Sequence, residues 1–267
     1  MTSLPTRDRL PPDAGLLLVG HGTRYAPGVD EFFSLAQTTA AGAGGRAVEP
    51  CFLEFAQPSI ADGFAKLVER GARHVVVAPV ILFAAGHIRR DIPREVAAAA
   101  ATHPGVSYVQ APHLGCHPAL AQLSSQRYAE CIGAAPAIAP EDTVLVLVGR
   151  GNRDAEATGE MLQFAQMRRE SLGAGEIRTA FLAMAEPPLE PTLERLALAS
   201  PKRIVVQPHL LFAGELLDRI STIVERLSDK HPDVDWRVTG HMGPSALVAS
   251  AILDRAREAA LAPLESC

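Results

Sequence analysis

Apolar positions along the chain gather into eight short runs. In the first half these are AGLLLVG (14–20), EPCFLEF (49–55), HVVVAPV (74–80) and VSYVQAP (106–112). In the second half they are TVLVLVG (143–149), RTAFLAM (178–184), RIVVQPH (203–209) and DWRVTGH (235–241). Cores such as LLLV and VVV are continuous rather than alternating. They predict strands covered on both faces, as in parallel sheets. Helical stretches lie between them: VDEFFSLAQTTAAG (29–42), SIADGFAKLVERG (59–71), RRDIPREVAAAAATH (89–103) and HPALAQLSSQRYAECIG (117–133). Gly71 is placed to cap the second of these at its C-terminus. Strand–helix alternation predicts right-handed crossovers and a doubly wound α/β sheet.

The plan is written twice. VGHGTR (19–24) lies over VGRGNR (148–153), with Gly20 and Gly149 129 positions apart. CFLEFAQPSI (51–60) over AFLAMAEPPL (180–189), and VVVAPVILFA (75–84) over IVVQPHLLFA (204–213), keep that offset. PHLG (112–115) over GHMG (240–243) follows at 128. An offset held through successive segments marks a duplication. The expected fold is two tandem doubly wound domains, each a small parallel sheet with helices on both faces, facing across a cleft. The boundaries read as a polar lead-in over 1–14, domains over 15–132 and 143–262, and a linker, GAAPAIAPED, through 133–142.

Composition narrows the classes. The chain has 267 residues, 48% of them hydrophobic and 21% charged, with a formal net charge of −5. This is a globular composition with no basic stripe for nucleic acid. No apolar run reaches membrane-spanning length, and the start has no apolar secretory core. A cytoplasmic protein without a membrane or nucleic-acid partner is expected. Cys51, Cys116, Cys131 and Cys267 form no CxxC pair and read as reduced thiols.

Open α/β sheets bind ligands beyond the carboxyl ends of their strands. Those positions hold His21 between two glycines, Glu54, and His87 within Gly86-His87-Ile88-Arg89-Arg90-Asp91. Two imidazoles and a carboxylate suit a borderline divalent metal such as Co2+, Fe2+, Ni2+ or Zn2+. Two or three protein ligands leave coordination positions open, as a metal to be handed on requires. Arg24, Arg89, Arg90 and Arg94 border the same loops, and Arg150 and Arg153 come from the second copy. Guanidinium groups there could grip carboxylates bidentately. His113, Cys116 and His117 in PHLGCHPAL form a second candidate cluster, but Pro118 favours a helix cap there. His74, His103, His209 and His231 read as strand-leading, turn or surface residues.

Taken together, LLLVGHGTR, CFLEFAQPSI and VVVAPVILFAAGHIRRDI resemble the sirohydrochlorin chelatases, and the resemblance covers both halves. It implies insertion of a divalent metal into sirohydrochlorin, a macrocycle with eight carboxylate arms. It also implies that His21 and His87 bind the metal and serve catalysis. Glu54 joins them as a catalytic candidate. Arg24, Arg89, Arg90, Arg150 and Glu215 are candidates for holding substrate. The metal is a substrate: Co2+ or Fe2+, with Ni2+ a further option. Co2+ is favoured, because long two-domain members are commonly tied to cobalamin synthesis; Fe2+ would serve sirohaem. No GxxxxGK[ST] implies ATP, and no cysteine motif implies an iron–sulfur cluster.

The second copy departs at each catalytic position. His21 becomes Arg150, Glu54 becomes Ala183, and His87 aligns with Glu215. One metal site per chain follows. A monomer suffices for a two-walled cleft, with a homodimer left open. Two rivals use the same residues: a metal or tetrapyrrole carrier without catalysis, and a phosphoryl-transfer enzyme with His21 as nucleophile. The order GHGTR, rather than RHG, speaks against the second.

Overall fold

The computed structural model describes residues 10–83, 86–133, 135–171 and 175–261, apart from the side chains at 87, 88 and 171. The first repeat runs β1 (Ala14–Gly20), α1 (Ala26–Gly42), β2 (Ala47–Phe52), α2 (Ile60–Glu69), β3 (His74–Pro79), α3 (Gly86–Ala101), β4 (Ser107–Gln110) and α4 (Pro118–Ile132). The second runs β5 (Thr143–Gly149), α5 (Ala155–Ser171), β6 (Glu176–Phe181), α6 (Leu189–Leu198), β7 (Arg203–Pro208), α7 (Glu215–Lys230), β8 (Asp235–Val238) and α8 (Ala246–Leu261). The strands form two four-stranded parallel sheets, ordered β2-β1-β3-β4 and β6-β5-β7-β8.

The central strands explain the apolar runs. Every residue of β1 and β5 is buried, because each has a neighbour on both edges and cover on both faces. The edge strands β4 and β8 depart from the expectation of two covered faces. They are four residues long and largely exposed or half-buried. In α2, Ser59 and Asp62 form a reciprocal capping box, which satisfies amides at the helix start. Gly71 follows the helix at φ +92°, its amide donating to the Val68 carbonyl, as a C-terminal cap requires.

Beyond Phe52 and Phe181 the chain leaves the sheet, so the FLEF and FLAM segments do not continue as strand. Phe55 and Met184 take left-handed φ values of 62° and 58°, and the chain turns back there. The apolar letters had suggested strand to positions 55 and 184; in the fold they belong to a turn.

The compact units are not the sequence repeats. One unit comprises residues 1–114 with 244–267, and the other comprises 115–243. The last helix, α8, packs on α1 and β3 of the first unit. Leu253 approaches Gly42 so closely that a Cβ at Gly42 would lie 2.8 Å from it, and Arg255 donates to the Leu114 carbonyl at 3.2 Å. Conversely, α4 packs within the second unit. Its Arg127 donates to the His241 carbonyl at 3.0 Å, and Ser124 donates to Gln207 at 3.0 Å. The domain limits drawn at 132 and 143 therefore mark the repeat but not the packing. Residues 133–142 are not an interdomain linker, since Arg203 of β7 donates to the Pro136 carbonyl at 2.7 Å inside the second unit. Repeat alignment matches segments; it does not say which sheet each helix covers.

Each unit has its own core. In the first, Leu17, Val19, Val75 and Val77 meet Phe64, Leu67, Ile92 and Val96. In the second, Val144, Val146, Ile204 and Val206 meet Leu193, Ile220, Val224 and Leu227. The second unit also buries a polar group of side chains. Arg168, with no exposed surface, donates to Ser124 at 2.7 Å and to Ser125 at 2.6 Å. His209, read above as a turn or surface residue, is buried instead, its ring 4.1 Å from that of Phe164. At the corresponding offset the first unit has Thr39, Ala78 and Val80 where the second has Arg168, Gln207 and His209. Among the described residues no helix is long and apolar enough to cross a membrane.

Burial holds His209 neutral by pushing its pKa down from 6.5 to about 3. The unfolded chain binds the proton near pH 6.5. Stability from this residue is thus complete above that pH and is lost as the pH falls towards 3. Between pH 7 and pH 5 the loss should be about 2 kcal/mol, and His209→Leu should flatten the dependence. Denaturant unfolding at the two pH values measures it; equal slopes in both proteins would refute it.

Candidate functional site

In the order β2-β1-β3-β4, the connections leave β1 and β3 in opposite directions. The gap between their carboxyl ends is the switch point, where open α/β sheets bind ligands. The loop after β1 carries His21 and the chain after β2 carries Glu54. The two loops are joined by backbone: the Leu53 amide donates to the Gly20 carbonyl at 2.9 Å, and the Glu54 amide to the His21 carbonyl at 3.1 Å. These bonds prolong the β1–β2 ladder one step beyond the strands.

The side chains follow from that join. His21 Nε2 lies 3.2 Å from Glu54 Oε1, both groups partly exposed. His21 Nδ1 lies 3.3 Å from the Gly22 carbonyl oxygen. A neutral imidazole has one N–H and one lone pair. When Nδ1–H faces Gly22, the Nε2 lone pair faces the carboxylate. That contact becomes attractive when a proton or metal cation sits between nitrogen and oxygen. The pair brings one imidazole nitrogen and one carboxylate oxygen together at the switch point.

Phe55 completes this surface. Its ring stacks near His21, with centroids 6.1 Å apart and planes 26° apart, and the Arg24 guanidinium lies 5.2 Å from its centroid. Sequence reasoning did not place Phe55 beside His21 and Arg24. The available signal was a large apolar residue at matching positions, Phe55 and Met184, straight after Glu54 and Ala183.

The second unit keeps the frame without the donors. The Leu182 amide donates to the Gly149 carbonyl at 3.1 Å, and the Ala183 amide to the Arg150 carbonyl at 3.0 Å. Arg150 stands exposed in the place of His21, and Ala183 replaces Glu54. Glu215 is the exposed first residue of α7.

His87 falls in the first turn of α3, and its imidazole lies outside the described residues. Arg89 and Arg90 are exposed on the same helix. Arg94 is engaged along the helix surface, 3.1 Å from Asp91 and 3.2 Å from Glu95. In the PHLGCHPAL segment, His117 caps α4 by accepting the Ala119 amide at 3.2 Å, and Cys116 donates to the Glu160 carbonyl at 3.3 Å. His117 thus serves the start of α4, and Cys116 ties that start to α5. Among the described residues no three His, Cys, Asp or Glu side chains are grouped to hold a metal.

A duplicated parallel α/β frame, with His21 and Glu54 side by side at the switch point of the first sheet, is a chelatase-like fold. The CbiX family model matches residues 15–131 and again 144–259. A sirohydrochlorin cobaltochelatase of Priestia megaterium is 29% identical over 244 residues, spanning 91% of this chain and 79% of that protein. A sirohydrochlorin ferrochelatase of the same organism is 30% identical over 213 residues, spanning 80% and 79%. The structure of SirB from Bacillus subtilis with Fe3+ matches with a TM-score of 0.84 at 28% identity, over 93% of this chain and 96% of that one. The chain belongs to the CbiX family, the sirohydrochlorin chelatase family of the resemblance drawn above.

The frame itself is testable. Gly22 has φ +94°, and a Cβ there would sit 1.7 Å from the Glu54 carbonyl oxygen. Gly151 repeats this at φ +88°, 1.7 Å from the Ala183 oxygen. Left-handed strain alone costs about 1–2 kcal/mol, and the clash adds to it. Gly22→Ala and Gly151→Ala should each lower Tm by several degrees in calorimetry. Wild-type melting would contradict the close approach.

Proposed function

We propose that the chain inserts a divalent metal into sirohydrochlorin, with Co2+ as the metal and cobalamin synthesis as the setting. The observation that carries this reading is the 3.2 Å approach of His21 to Glu54 at the sheet's switch point, an imidazole and a carboxylate of the kinds that divalent metals take. The names of the relatives support the macrocycle and the two metals. The resemblance adds His87 as a second nitrogen donor.

In this reading the metal arrives partly hydrated on His21, His87 and Glu54, with coordination positions left for the ring nitrogens. Metallation removes two pyrrole protons as one M2+ enters, so the charge of the macrocycle is unchanged. Imidazole exchanges protons near neutral pH, and His21 takes one as the metal leaves it. The Glu54 carboxylate, 3.2 Å away, takes the other, and both protons pass from there to solvent. Arg24, Arg89 and Arg90 hold carboxylate arms, each charge-assisted hydrogen bond contributing about 1.5–3 kcal/mol. Arg150 and Glu215 are further candidates for holding substrate. No nucleotide enters the scheme.

The second reading is Fe2+ insertion for sirohaem. The observation favouring it is the ferrochelatase relative at 30% identity, beside 29% for the cobaltochelatase. A nitrogen and oxygen donor set accepts either ion, and metal supply decides between them.

Anaerobic incubation with sirohydrochlorin and Co2+ or Fe2+, followed by absorbance, tests both readings. Turnover beyond one equivalent per protein is expected, with no ATP; a single equivalent would mark a carrier. His21→Ala and His87→Ala should lower kcat by about 100-fold or more, as should loss of a proton-transfer group in Glu54→Gln. Arg150→Ala should raise KM more than it lowers kcat. Wild-type rates in both histidine variants would remove the site assignment.

A further inference from the structure

Three non-glycine residues among those described have positive φ: Phe55, Met184 and Ser200. Ser200 is small, polar and just past the end of α6, an ordinary place for a left-handed residue. Phe55 and Met184 are neither small nor polar. They are also 53% and 49% exposed, among the exposed large hydrophobic side chains of the protein. A bulky side chain in the left-handed region is strained. Exposing its apolar surface forgoes the gain of burial. Both penalties fall on one residue beside the donor pair, and the duplicated frame repeats the arrangement.

We propose that Phe55 is the seat for the flat face of the macrocycle at the metal-donor pair; this rests on the chelatase reading. The chemistry fits a tetrapyrrole with π faces and a carboxylate rim. The Phe55 ring offers an apolar plane, and offset stacking suits two flat conjugated systems. Arg24, held against the same ring, brings a guanidinium to the carboxylate rim. His21, inclined 26° to the ring, places its nitrogen donor beside that plane. The turn that strains Phe55 is what lifts the ring out of the sheet layer to meet substrate.

The test uses Phe55→Ala, Phe55→Gly and Phe55→Trp. Binding of metal-free sirohydrochlorin is read by equilibrium dialysis, Co2+ binding by calorimetry, and insertion by absorbance. Phe55→Ala should raise the macrocycle Kd and the KM by about 10-fold, with kcat within about threefold of wild type. Phe55→Trp should restore affinity, and Co2+ binding should not change in any variant. Phe55→Gly should lose the same affinity yet melt no lower than Phe55→Ala, because glycine tolerates the left-handed turn. An unchanged macrocycle Kd in both truncations overturns the proposal. So does a fall in kcat at constant KM, which would make the ring a support for His21. A wild-type protein that neither binds nor metallates sirohydrochlorin removes the chelatase reading, and this inference with it. A wild type that does both, with truncations indistinguishable from it, removes the inference alone.

Discussion

Two backbone hydrogen bonds govern this molecule's chemistry: those from the Leu53 and Glu54 amides to the Gly20 and His21 carbonyls. Each contributes only about 0.5–1.5 kcal/mol net. Their effect is geometric. They carry the β1–β2 pairing past the strand ends, so two loops 33 positions apart in sequence, at His21 and Glu54, become one rigid ledge. The ledge needs Gly22, because any Cβ would occupy the space of the Glu54 carbonyl. The imidazole–carboxylate spacing is thus set by the main chain, and the side chains inherit it.

Duplication shows which parts are frame and which are chemistry. The second unit retains the glycine, the amide–carbonyl join and the left-handed residue, at Gly151, Ala183 and Met184. It gives up the imidazole and the carboxylate. In their place the same geometry presents an exposed Arg150. The cores diverged in the other direction. The second unit buries Arg168 and Gln207 against Ser124 and Ser125, and His209 against Phe164, where the first has Thr39, Ala78 and Val80. Burial pushes the Arg168 guanidinium pKa down and keeps His209 neutral. The unit without the donor pair is the one whose stability depends on pH through its core.

The central strands were legible in the sequence: AGLLLVG and TVLVLVG are β1 and β5 to the residue. Strands buried on both faces admit almost only apolar side chains, so composition alone marks them. The meeting of His21 and Glu54 was legible because both follow strands that end at the same edge of the sheet. The turn at Phe55 was not, since FLEF carries strand-like letters and its left-handed φ has no glycine to announce it. The burial of His209 was also hidden. A histidine beside Pro208 reads as a turn, and only the placement of Phe164 against it reveals the core. Helix partnership was least legible. The amphipathic faces of α4 and α8 are similar enough to align, and nothing in one chain's letters says which sheet each will cover.

That exchange of helices sets an order of events during synthesis. Residues 115–243 form an unbroken stretch and can close as soon as they emerge. The unit bearing His21 and Glu54 begins first but is completed by α8, which emerges after the whole of the second unit. At about 5–20 residues per second, Gly42 and the faces of α1 and β3 wait on the order of ten seconds for Leu253 and its neighbours. The half of the molecule made second is finished first, and the half that carries His21 and Glu54 is finished only once α8 has followed it.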